Sequence, residues 1–144
     1  MNQHLHIITL GVRDLAASRR FYAETLGWKL SPASNDGIAF FQAGGVVLAL
    51  YPREELAQDA QLSVSPSAAP SIAQFTLAHN ARSEQEVDAI IADLRARGVT
   101  ILKEPQKVFW GGYSSYFADP DGNPWEVAYN PFSSFDENGN LKMR

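Results

Sequence analysis

Glu126 is the residue of this chain with the clearest chemical potential. It sits in the stretch PWEVAY, directly after the turn sequence DPDGN at residues 119–123. Alternation sends Trp125, Val127 and Tyr129 to one side of a strand and Glu126 to the other. A carboxylate aimed away from the apolar side of its strand is either solvated or directed into a concavity. In a concavity it can ligate a divalent metal or accept a proton as a general base. On the preceding strand, YSSYFA, Ser114, Tyr116 and Ala118 share a face. Tyr116 and Glu126 are about equally far from the turn, so they can be cross-strand neighbours, with the phenol bonding the carboxylate. Gln74 is the other candidate partner for Glu126.

Three histidines, His4, His6 and His79, could supply imidazole to a metal, or they are surface and strand-end residues. The segment VFWGGY, residues 108–113, sets two aromatics before two glycines. Phe109 and Trp110 then form either a mobile aromatic lid or a filler between structural units.

These residues need a scaffold, and the chain spells one out twice. HLHIITLGV reads as a strand, Asp14 as a helix N-cap, LAASRRFYAETL as a helix and Gly27 as its stop. Three strands are expected next: WKLSPA, GIAFFQA and VVLALY, with Gly44 and Gly45 as a hairpin signal. From residue 72 the order repeats. IAQFTLAH is a strand, SEQE a capping box, Val87, Ile90, Ile91 and Leu94 the apolar face of a helix, and Gly98 its end. VTILKEP, YSSYFA and WEVAY complete the second β-α-β-β-β set. The expected organisation is a single domain over 1–144, with modules at 5–51 and 72–130. A linker spans 52–71, containing one short helical turn at REELAQ. The tail at 131–144 carries the turn signal ENGN, which adds a small hairpin or frays.

The chain has 144 residues, 45% hydrophobic and 19% charged, with a net charge of −4. That composition fits a globular domain with a real core. No basic run offers a phosphate footprint, so nucleic acid is not an expected partner. No apolar run approaches the roughly 18 residues of a membrane span, and no secretory signal is visible, so the expected location is cytoplasmic. The chain has no cysteine, which removes disulfides, thiolate nucleophiles and Cys-ligated zinc.

The repeat, together with HIITLGVRDLAASRRFYAETLGW and ILKEPQKVFWGGYSSYFADPDGNPWEV, resembles the vicinal oxygen chelate superfamily. That group includes glyoxalase I, fosfomycin-resistance thiol transferases, extradiol dioxygenases and bleomycin-resistance proteins. The resemblance implies an α+β fold of two βαβββ modules whose sheets curl into a cup. In metal-dependent members it implies a divalent metal held by a His on the first strand of each module and a Glu after the DPDG turn.

Glu126 matches the last of these ligands. The first histidine position falls on Ile7 and the second on Ile72; a further acidic position falls near Ala49. His6 is one residue out of register, and a one-residue slip turns a strand side chain to the opposite face. No metal is therefore expected, a divalent ion entering only through an atypical site of His6 and Glu126. By the same parity Thr9, Gln74, Ser114, Tyr116 and Glu126 face the cup, with Trp110 as lid. No Lys/Arg cluster is evident there.

The resemblance implies first a metal-free binding protein for a small, planar molecule. The alternative is a lyase, isomerase or dioxygenase, with an atypical metal site or with Glu126 as general base. The cup could also be filled by its own side chains, and Glu126 could be a remnant of a lost ligand set. A homodimer is expected, because modules of this type pair within or between chains.

Overall fold

The computed structural model describes residues 3, 6–59, 61, 64 and 76–142. The chain divides into two compact units, 1–67 and 68–144. Each is a mixed α+β module.

In the first, β1 (Ile7–Val12) runs parallel to β3 (Val46–Pro52), and β3 pairs antiparallel with β2 (Ala39–Ala43), giving the order β1-β3-β2. Helix α1 (Leu15–Arg20) starts at Asp14, whose carboxylate accepts the Ala17 N–H at 2.9 Å. It continues as a π-helical turn over Phe21–Thr25, closed by the Leu26 N–H on the Phe21 carbonyl at 3.0 Å. The wider turn keeps Ser18, Phe21 and Tyr22 buried in the module core, and Tyr22 packs 5.9 Å from both Trp28 and Phe41. Leu10, Val12, Phe41, Leu48 and Leu50 complete that core.

The strand expected from WKLSPA is reduced to a single bridge, Leu30 to Phe41. Beyond it the chain turns through local bonds: Ala33 N–H to Ser31 Oγ, and the Gly37 and Ile38 N–H groups to Asn35 Oδ1. These side chains compete with a ladder for the backbone donors. Helix α2 (Arg53–Asp59) follows β3 directly, where one short turn was expected. It sits close to β1: a Cβ on Gly11 would come within 3.0 Å of Arg53 Cβ.

The second module repeats the order with its full strand complement. β4 (Leu77–Ala81) is parallel to β7 (Pro124–Tyr129). Antiparallel pairs then join β7 to β6 (Tyr113–Ala118) and β6 to β5 (Ile101–Lys107), for the order β4-β7-β6-β5. Helix α3 (Glu84–Ala96) has the capping box written in SEQE. Ser83 Oγ accepts the Glu86 N–H at 3.1 Å, and Glu86 Oε2 accepts the Arg82 N–H at 2.6 Å. Its buried face is Val87, Ile91 and Leu94. The sheet's apolar face buries Phe117, Trp125 and Val127, with the Phe117 and Trp125 rings stacked 6.0 Å apart. Ser115 is also fully buried, and its hydroxyl is satisfied by the Val127 carbonyl at 2.8 Å.

The tail forms the hairpin of β8 (Ser134–Phe135) and β9 (Leu141–Lys142). Its turn, DENGN, reproduces DPDGN bond for bond. Asp119 Oδ1 accepts the N–H groups of Asp121 and Asn123, and its Oδ2 accepts the Asn123 amide. Asp136 does the same for Asn138 and Asn140. In each turn the glycine, Gly122 or Gly139, takes φ of 80°, a left-handed conformation that glycine adopts without steric cost. Among the described residues no helix is long and apolar enough to cross a membrane.

Candidate functional site

The DPDGN turn sets the register of the last two strands, placing Tyr116 directly opposite Glu126 and Ser114 opposite Ala128. On the outer strands, Ala78 lies beside Glu126, and Gln106 and Lys103 lie beside Ser114 and Tyr116. One face of the second module's sheet therefore carries Lys103, Gln106, Ser114, Tyr116 and Glu126. It is the face opposite to the one that carries Phe117, Trp125 and Val127.

The polar groups on it are joined. Ser114, only 2% exposed, donates its hydroxyl proton to Glu126 Oε1 at 2.8 Å. The Ser114 Oγ in turn accepts from Lys103 Nζ at 3.2 Å. Lys103 Nζ also stands 5.5 Å from the centre of the Tyr116 ring, within cation–π range. Burial, and then the charge of Glu126, push the Tyr116 phenol above its ordinary value. The partner expected for Glu126 was Tyr116; the hydroxyl that bonds it is Ser114. Tyr116 is the residue directly opposite Glu126, yet the bond comes from the serine one pleat away. Gln74, the other expected partner, lies outside the described residues.

Lys103 is the residue that alternation hides. Ile101 pairs with Phe117 on the helix side, so simple parity puts Lys103 there too. The register shifts between Ile101 and Lys103 and again between Lys103 and Gln106. The first bulge turns Lys103 to the opposite face, beside Tyr116. Pro105, inside the strand, was the available signal, since proline within a sheet is confined to edges and bulges, and β5 is an edge strand. No Lys/Arg cluster was expected on this face, and it carries one lysine, Lys103.

His79 does not join this face. His79 pairs with Val127, on the helix side, and is exposed. It lies within β4 rather than at a strand end, because the strand runs on to Ala81. His6 precedes β1 with its carbonyl bonded by the Val47 N–H at 2.9 Å. His4 and Ile72 lie outside the described residues. Thr9 is exposed in the first module, on the same face as Ile7 (51% exposed) and Ala49. Among the described residues no three His, Asp or Glu side chains converge to hold a metal ion. At the positions where the resemblance implies ligands stand Ile7, Ile72 and Glu126. Only the glutamate has a donor atom, and its Oε1 is engaged by a hydroxyl that itself accepts from an ammonium group. A divalent cation on Glu126 would face that ammonium across one hydroxyl. The donor set does not fit the metal.

Trp110 is 38% exposed and Phe109 fully so, in the loop that leads into β6. The Trp110 ring lies against Gly112: a Cβ there would fall 1.9 Å from two ring carbons. Phe132 rests on Gly111 in the same way, with 3.2 Å to a built Cβ. The glycine pair thus serves as a bed for two aromatic rings, and neither ring fills the core.

Residues 4–127 match the family model described as Glyoxalase/Bleomycin resistance protein/Dioxygenase superfamily. The chain is 32% identical over 125 residues to the metallothiol transferase FosB of Lysinibacillus sphaericus, covering 86% of this chain and 80% of that protein. It is 31% identical over 127 residues to the glutathione transferase FosA of Serratia marcescens, covering 88% and 81%. The crystal structure of a glyoxalase-related enzyme from Fulvimarina pelagi superposes with a TM-score of 0.86 at 37% identity, over 99% of both chains.

Proposed function

The chain belongs to the Glyoxalase/Bleomycin resistance protein/Dioxygenase superfamily, and on that premise we propose that it binds a small molecule on the second module's Lys103, Ser114, Tyr116 and Glu126 face without a metal ion. The observation that carries this reading is the Ser114 hydroxyl joined to both Glu126 and Lys103. It leaves a half-buried face with a fixed carboxylate, an ammonium that keeps further N–H groups to donate, and an aromatic ring beside them. A few placed polar groups around an apolar surface suit a small ligand. The ligand's polar end would meet Lys103 and the second carboxylate oxygen, and a planar body would lie on Tyr116. Trp110, in the loop entering the same strand, is the ring able to swing toward it. The exposed Phe109 and Phe132 supply apolar surface for the homodimer that belongs to the same reading.

An enzyme is the second reading, favoured by one observation: Lys103 supplies on this face the cation that the sequence did not show. Two relatives named as thiol and glutathione transferases support it, and Glu126 is the candidate base. Ile7 and Ile72 stand against the metal-dependent version.

The test is a thermal-shift screen with planar heteroaromatic amines and carboxylates, the hits re-measured by calorimetry on Tyr116→Ala and Glu126→Ala. We expect a loss of at least about tenfold in affinity in each, which is ~1.4 kcal/mol. Hits whose affinity stays within about twofold in both variants would contradict the assignment of the face.

A further inference from the structure

We infer that Lys103 is the resident cation of this face: coupled to Glu126 through the Ser114 hydroxyl, it balances and aims the carboxylate where metal-dependent relatives use a metal ion. The inference rests on the metal-free reading and deepens it.

Three features support it. The proton count of the chain is directional. A serine hydroxyl has one proton, which goes to Glu126, so its lone pairs are left for an ammonium. Every link is then charge-assisted, and such bonds are stronger than neutral ones. Next, Lys103 reaches this face only because a bulge reverses its side of the strand. Third, the bridging atom belongs to a residue that is 2% exposed, so solvent water is a poor substitute for it. Glu126 is half-buried, and pairing or hydrogen bonding offsets the cost of partly desolvating its charge. The face holds both charges of the pair, and a divalent ion added to Glu126 would have to tolerate the ammonium across one hydroxyl.

The experiment is a double-mutant cycle of Lys103→Met and Glu126→Gln, read by urea unfolding of the full chain and repeated on a Ser114→Ala background. With Ser114 present the two sites should couple by at least about fivefold in the unfolding constant. With alanine there the coupling should fall below about twofold. Coupling under twofold with serine present, or undiminished with alanine, overturns the inference even if the purified protein is free of metal. Should a variant not fold, crystals of the unaltered chain grown with millimolar Mn²⁺ give a second measurement. Lys103 bonded to Ser114, with no anomalous peak on Glu126, is the expected result. A peak on Glu126 overturns the inference, whereas the metal-free reading concerns the protein as purified, with no metal added.

Discussion

Gly112→Ala tests the aromatic loop. The new methyl group would occupy the position of the Trp110 ring, 1.9 Å from two of its carbons, so the ring must leave. Trp110 is 38% exposed, so somewhat over half of its surface is covered. A fully buried aromatic covers ~150–250 Å². If the ring loses about half of its covered area, ~60 Å² returns to water, or ~1.5 kcal/mol at about 25 cal/mol per Å². Gly112 is not among the glycines with positive φ, so alanine is tolerated by the backbone and offsets about 0.4–1 kcal/mol through the unfolded state. The net expectation is a loss of about 0.5–1 kcal/mol, with tryptophan emission shifted to longer wavelength. Urea unfolding and emission spectra of the two proteins measure both. A variant stabilised by about 0.4–1 kcal/mol with unchanged emission would show that the ring does not rest on Gly112.

Two further outcomes follow from the site and its turn. Glu126→Gln should lower the Tyr116 phenol toward its ordinary value without reaching it, because burial, the larger cause, remains. Since the folded phenol is raised, its contribution to stability is present below about pH 10 and is lost as pH rises through the folded value; the variant should lose less on alkaline titration, followed by ultraviolet difference spectra. Asp119→Ala removes a buried carboxylate that accepts three hydrogen bonds, and should reduce stability by about 3 kcal/mol as charged-group hydrogen bonds are lost, whereas Asp136→Ala in the twin but more exposed turn should leave the urea midpoint of the chain unchanged.

How far the sequence could be read depended on whether the signal was local. The caps at Asp14 and Ser83 and the stop at Gly98 each rest on a few adjacent residues, and each stands as read. Tyr113–Ala118 and Pro124–Tyr129 were delimited by a turn whose residues demand their own hydrogen bonds. Lys103 escaped because parity assumes an unbroken ladder, and its strand has two irregularities. The Ser114 bridge escaped for a related reason: alternation says which side chains share a face but not which of them reach each other. The strand expected at WKLSPA was shortened because the Trp28 N–H bonds back to the Tyr22 carbonyl and the Ala33 N–H goes to Ser31 Oγ, which no period reveals. The turn at DENGN was visible, yet its identity with DPDGN appears only when the Asp side chains are seen bonding the same positions.

A metal-free site on the second module is checked by elemental analysis of protein purified without chelators. Far less than one Mn, Fe, Ni or Zn per chain is expected, with no difference between the unaltered chain and Glu126→Gln. About one metal per chain, lost in Glu126→Gln, would contradict it.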